Sequence, residues 1–181
     1  MIKKYKRLPG VFFGWEDEKE EKWLEKLSKR GLHFVRYNLL YYVFQVGDPK
    51  EYIYKIDYKS TKNSDIDEYL NIFEDTGWEH VAEFLGWHYF RIEKEKANIQ
   101  DIYTDNNSKI EKYRGYLKTL KIIAICEIPI FLNLVFNPVY EKYSGMSIVK
   151  LLFLGLFTVF GYTIYKVSTK IRNLSDEIYH D

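Results

Sequence analysis

Four histidines, His33, His80, His88 and His180, and a single cysteine, Cys126, are the residues best suited to hold a metal or to pair a nucleophile with a base. None of them forms an HxxxH, an HExxH or a His/Cys pair, so metal-ligand spacing is absent from the sequence. His80 and His88 are placed to approach each other across a hairpin, but a third and a fourth ligand are not evident. Cys126 stands in an apolar stretch with no base near it in sequence, where a thiolate is disfavoured. There is no GxGxxG, no Walker loop and no GxSxG elbow. The acidic run Glu16-Asp17-Glu18 suits the first turn of a helix, where it complements the dipole, better than general acid–base work. The expectation is a protein that is not an enzyme and takes no cofactor and no metal.

Recognition, rather than catalysis, is what the residue types offer. Aromatic residues make up 18% of the chain, with Tyr 17, Phe 12 and Trp 4. In two corresponding hairpins Phe44, Val46, Phe90 and Ile92 share one strand parity and are expected to meet helices. The opposite parity carries Tyr41, Val43, Trp87 and Tyr89, which a two-layer sheet leaves facing away. Tyr52, Tyr54 and Tyr58 alternate with Lys55 and Asp57 and can add to either face. Two readings stand. Either Tyr41, Val43, Tyr52, Tyr54, Trp87 and Tyr89 form an uncovered surface for a ligand, a dimer partner or a membrane, or the sheet curls and buries these rings in its own core. Nucleic acid is disfavoured, because residues 1–106 carry about 17 basic and about 20 acidic groups.

An internal repeat positions these residues. Trp23-Leu24, Leu27, Gly31-Leu32, Val35 and Tyr42-Val43-Phe44 align onto Tyr69-Leu70, Phe73, Gly77-Trp78, Val81 and His88-Tyr89-Phe90 at an offset of about 46 residues. Each copy reads as helix, glycine stop, strand, turn, strand. The first helix is expected from about Asp17 to Arg30, with Gly31 in the left-handed position after its end. Asp65, three residues before Glu68, opens the second like a capping box, and Gly77 closes it. A strand precedes each helix, Leu8 to Trp15 and Tyr52 to Tyr58. The fold class is therefore α+β: a duplicated β-α-β-β antiparallel sheet with two helices on one face.

A two-helix transmembrane hairpin follows. Ile122–Tyr140 and Ile148–Val167 can each form an apolar helix of about 30 Å, close to the hydrocarbon thickness of a bilayer. Pro129 cannot bond to the carbonyl of Ile125 and should kink the first. Glu127 is the acidic group at membrane depth, read either as a proton-sensitive or partner-pairing group or as a near-interface glutamate satisfied by a tyrosine or water. Lys109, Lys112, Arg114, Lys118 and Lys121 precede the hairpin and Lys166, Lys170 and Arg172 follow it. The positive-inside bias thus puts both termini in the cytoplasm of a multi-pass cell-membrane protein. The chain divides into a cytoplasmic duplicated domain at 1–106, a linker helix at 107–121, the hairpin at 122–167 and a cytoplasmic C-terminal helix at 168–181.

Several blocks in register resemble a bacterial membrane-protein family known as domain of unknown function 2812. They are Phe12-Phe13, Glu20-Glu21-Lys22-Trp23-Leu24, Lys29-Arg30-Gly31-Leu32 and Glu51-Tyr52-Ile53-Tyr54. Thr76-Gly77-Trp78-Glu79, Gly86-Trp87-His88-Tyr89-Phe90-Arg91, Tyr103-Thr104-Asp105 and Ser108-Lys109-Ile110-Glu111-Lys112-Tyr113 complete the set. The resemblance implies C-terminal membrane helices and genes often placed beside PadR-type transcriptional regulators, hence a sensory or regulatory role, and it supplies no catalytic residues. In architecture alone, duplicated β-α-β-β units look like effector-binding domains related to gyrase inhibitor, which hold ligands between their copies. The expected function is a membrane-anchored cytoplasmic sensor that binds an apolar small molecule or a regulator protein. The alternatives are a docking subunit for a transporter or PadR-type partner, and a membrane immunity or resistance factor acting through Glu127.

Overall fold

The computed structural model describes residues 4–38, 40–60, 65–97 and 106–180. The chain divides into two compact units, Met1–Ser108 and Lys109–Asp181.

The first unit holds the repeat. Its first copy runs β1 (Tyr5–Leu8), α1 (Asp17–Ser28), β2 (Leu32–Asn38) and β3 (Tyr41–Val46); its second runs β4 (Tyr52–Tyr58), α2 (Ile66–Asp75), β5 (Glu79–Phe84) and β6 (Trp87–Glu93). The α+β class and the β-α-β-β order of each copy are as expected. The strands form two antiparallel sheets of three, ordered β1-β3-β2 and β4-β6-β5. Both copies carry a bulge at the equivalent place, between Phe34 and Arg36 and between His80 and Ala82. Gly31 and Gly77 sit at φ +76° and +90°, ending their helices in the region only glycine enters freely. Asp65 stands at the N-cap of α2, yet its side chain makes no capping hydrogen bond.

The first strand lies earlier than expected. Leu8 to Trp15 does not form it; β1 ends at Leu8, because Pro9 lacks an N–H for the ladder. Beyond it Gly10 lies against the Tyr42 ring, where an added Cβ would come within 3.0 Å. Phe12 then turns inward onto Trp23, with ring centroids 5.4 Å apart.

The two helices lie on opposite faces of the second sheet rather than sharing one face. Phe73 of α2 stacks on Phe90 at 4.0 Å, in a cluster with Trp78 and Ile92. Directly paired residues share a face, so Ile56 and Tyr89, and Tyr54 with Arg91, point the other way. That other face meets Leu24 and Leu27 of α1 together with Phe34, Tyr42 and Phe44 of the first sheet. The physical reason is in the residues: β6 carries Phe90 and Ile92 on one parity and Tyr89 on the other, and β4 adds Ile53 to the first and Tyr54 and Ile56 to the second, which suits a sheet covered on both sides. Three successive residues are accordingly buried in β3 (Tyr42, Val43, Phe44) and in β6 (His88, Tyr89, Phe90). Among the residues expected to meet helices, Val46 departs, being 43% exposed at the end of β3.

α1 also seals an edge. β4 is the outer strand of its sheet, and the amide of Ile56 donates to Glu21 Oε1 at 2.8 Å. The Tyr54 amide reaches Glu25 Oε1 at a longer 3.5 Å. Glu21 is 3.5 Å from Lys55 Nζ as well.

The second unit is a helical hairpin. α3 (Asn106–Phe136) and α4 (Met146–His180) are joined through a short 3-10 turn at Pro138–Lys142. Both are long and apolar enough to cross a membrane, and their apolar windows are almost wholly unburied. The helices run antiparallel: Phe131 meets Phe157 at 5.0 Å, Lys150 Nζ donates to the Val135 carbonyl, and Lys170 lies over the Tyr113 ring. The first apolar helix ends at Phe136 rather than Tyr140, because Asn137 turns to cap the amide of Val139 ahead of Pro138. On each side of the turn the apolar segment and its polar flank are one continuous helix.

Candidate functional site

A cleft of about 400 Å³ opens between the two sheets of the first unit. The first copy contributes β2 through His33 and Phe34, and the segment after β3 contributes Asp48 and Lys50. The second copy contributes Tyr52, Glu79 and Arg91. Arg91 is clamped by Glu79: its Nε and Nη2 donate to the two carboxylate oxygens at 2.8 and 2.6 Å. Its Nη1 donates to the Phe34 carbonyl at 3.4 Å, crossing to the first sheet. Burial alone would lower the pKa of this guanidinium, but the bonds and charge of Glu79 outweigh that and hold it firmly charged. The guanidinium lies 4.9 Å from the Tyr52 ring centre and the Lys50 ammonium 5.7 Å from it.

His33 completes the wall. Its Nε2 lies 2.8 Å from the Asp48 carbonyl; a carbonyl only accepts, so Nε2 donates. The other ring nitrogen, Nδ1, is buried and has no hydrogen-bond partner among the described residues. The ring stands edge-on to Tyr52 at 5.4 Å. The lining thus combines one aromatic face with fixed cations and a carboxylate, a chemistry suited to a planar molecule with polar groups.

On the far face of the second sheet His88 Nδ1 lies 3.2 Å from His80 Nε2, and His88 Nε2 lies 3.2 Å from the Lys59 carbonyl. Burial pushes both imidazoles below their ordinary pKa, which favours neutral rings. Asp57 accepts from the Tyr69 hydroxyl at 2.7 Å beside them. Among the described residues no group of three or more metal-binding side chains occurs.

Deeper in, Glu20 of α1 is only 6% exposed. Its Oε1 accepts from Tyr42 of the first sheet at 2.7 Å and from Tyr89 of the second at 2.9 Å. Burial pushes the carboxyl up to about 7, against the pull of the two hydroxyls.

Of the six residues expected to bind a ligand or partner, Tyr52, Tyr54, Trp87 and Tyr89 belong to or pack against one core cluster, and Tyr41 and Val43 lie apart from it. Tyr54 and Tyr89 belong to the core, and Tyr52, on the same face of the second sheet, reaches the cleft. Trp87 packs edge-on to Tyr58 at 5.1 Å. Tyr41 lies on the opposite side of the first sheet, under Arg7 at 5.0 Å, with Val43 buried beside it. Glu127 is half-buried on α3, and Cys126 beside it is exposed.

A protein-family model described as protein of unknown function (DUF2812) matches residues 16–125. The chain belongs to the DUF2812 family. The match includes both helices of the repeat, the cleft, Glu20 and the start of the apolar part of α3, so these are features of the family's own segment. Of the blocks that carried the resemblance, Tyr103 to Asp105 lies outside the described residues. No curated protein and no solved structure matches this DUF2812 chain.

The sequence did not single out Arg91, His33 or Glu20 as site residues. Arg91 faces the cleft because it pairs with Tyr54 across the ladder, a register that only the sheet pairing reveals. Glu20 sits one turn before Leu24 on the buried stripe of α1, and that position was the available signal.

Proposed function

We propose that this DUF2812 protein is a membrane-anchored sensory or regulatory module whose ligand site is the cleft between the two copies of its repeat. One observation supports the reading above others: both copies line a single cleft, and Arg91 spans it to the Phe34 carbonyl. A ligand held there by both sheets would change how they sit together, which is what a sensor needs. The polar lining moves the ligand class from apolar toward a planar molecule with an aromatic body and hydrogen-bonding groups. The two apolar helices would hold the unit at a membrane, and the flanking Lys109, Lys112, Arg114, Lys166, Lys170 and Arg172 would keep both termini on the cytoplasmic side.

The full chain in detergent micelles, titrated calorimetrically with planar aromatic acids, amides and bases, tests this. Binding that Tyr52→Ala weakens by tenfold or more is the expected result. No binding across the panel, or binding indifferent to Tyr52, refutes the cleft assignment. A docking role toward a regulator protein, such as a PadR-type repressor, or a transporter subunit is favoured by Leu40 and Leu85, which stand 75% and 74% exposed at the hairpin tips. A stoichiometric protein co-purifying with the wild type and lost in Leu40→Ser/Leu85→Ser would establish it.

A further inference from the structure

We propose that Glu20, Tyr42 and Tyr89 form a proton-operated clasp that couples the two copies of the repeat. Three elements meet at one atom. α1 supplies the carboxyl, β3 of the first sheet supplies the Tyr42 hydroxyl, and β6 of the second sheet supplies the Tyr89 hydroxyl, both donated to Oε1 at 2.7 and 2.9 Å. Around the clasp the same seam is held by apolar contact, with the Phe34 and Tyr89 rings 4.9 Å apart, and by the Phe34 amide donating to Tyr54 at 3.3 Å. Glu20 is the carboxyl at the centre of this joint, whose other cross-sheet contacts are these aromatic ones and the Arg91 guanidinium on the Phe34 carbonyl.

The charged and titratable groups facing Glu20 are few in kind. Asp17, on the same helix, repels a second negative charge, and Tyr42 and Tyr89 stabilise one. Tyr37, from β2, feels the Glu20 charge and has its own pKa raised, first by burial and then by that charge. From β4 the charged group turned toward α1 is Lys55, whose ammonium lies 3.5 Å from Glu21. With both hydroxyls donated to Oε1, Oε2 is the atom that takes the proton. Protonated there, the carboxyl still accepts both hydroxyls at Oε1, without charge assistance.

Proton binding and opening of the seam are then linked. In the closed joint burial holds the carboxyl near 7, whereas a solvated glutamate titrates near 4.5. Ionisation is relieved by any opening that lets water reach Glu20, so raising the pH favours the open joint. Full hydration would shift the open-to-closed ratio by up to about 300-fold between a pH well below 4.5 and one well above 7.

Trp23 reports on the clasp directly, its ring 4.9 Å from Tyr42. The experiment is a pH titration of Trp23 fluorescence in the full chain in micelles, with Trp15, Trp78 and Trp87 replaced by Phe. A transition centred near pH 7 is expected. In Glu20→Gln, which keeps an acceptor oxygen but cannot ionise, the transition disappears and the acid-side signal persists to pH 9. In Tyr89→Phe, a milder change that tests the same point should Glu20→Gln fold poorly, the midpoint moves upward because a hydroxyl that favours the charge is gone. A transition that survives Glu20→Gln unchanged, or a midpoint that Tyr89→Phe leaves in place, overturns the proposal.

Discussion

Alanine at Gly31 and alanine at Gly77 should differ sharply in effect, although the two glycines hold the same place in the repeat. Each follows a helix and enters a strand with a positive φ, +76° and +90°. The left-handed backbone costs an alanine about 1 kcal/mol in both cases. At Gly77 the added Cβ would meet Ile92 Cδ1 at 3.5 Å, ordinary van der Waals contact, so little more is expected. At Gly31 it would come within 2.3 Å of the Gly47 carbonyl oxygen, a backbone atom that cannot rotate away. The loop must then retreat, and the bond from the Gly47 amide to the Gly31 carbonyl, 2.9 Å, goes with it. Losing that bond and leaving its groups poorly paired adds about 2 kcal/mol, for a total of about 3 kcal/mol or more. Urea unfolding of the full chain in micelles, followed by tryptophan fluorescence, suits the comparison, because Trp15, Trp23, Trp78 and Trp87 all lie in the first unit. Equal destabilisation by the two substitutions, within about 0.5 kcal/mol, would refute the reasoning.

Glu20→Gln should flatten the pH dependence of stability. The folded carboxyl titrates near 7 and the unfolded one near 4.5, so its contribution is complete below the lower value and lost as pH rises through the higher one. That loss amounts to roughly 3 kcal/mol, measured by urea denaturation at pH 5 and pH 8; a wild type equally stable at both would refute it. Glu21→Ala should cost about 1–3 kcal/mol by orphaning the Ile56 amide, and Glu21→Gln, which restores an acceptor, should recover more than half. Phe90→Ala, which removes a fully buried ring stacked at 4.0 Å on Phe73, should cost about 3–5 kcal/mol in the same unfolding assay. The full chain should stay in the membrane pellet through alkaline carbonate extraction, and recovery in the supernatant would argue against the hairpin crossing a bilayer.

Periodicity and glycine placement made most of the elements readable before the structure. α1 begins at Asp17 and both helix stops fall at the glycines, because cap geometry is local and glycine announces it. β1 was displaced because Phe12 and Phe13 read as strand residues while Pro9 had already ended the ladder. The relative placement of the helices was less legible. Strand parity says which residues share a face, but not which face receives which helix, and Tyr54, Ile56 and Tyr89 were apolar enough for either arrangement. The cleft was hidden for a related reason. Arg91 and Glu79 are separated by a turn in sequence and meet only through the register of β5 on β6, and His33 joins them across two sheets.

Glutamates from a helix, rather than a neighbouring strand, occupy the outward amides of β4. A foreign strand therefore finds no free amide at Tyr54 or Ile56 to extend the ladder on that side, which disfavours amyloid-like or donor-strand growth there. Protecting the margin from within the same repeat leaves the protection dependent on α1 keeping its seat. Whatever lifts that helix would expose the tyrosine-rich sequence Tyr52 to Tyr58 as a bare template, which makes its docking a safeguard against self-association as much as a source of stability.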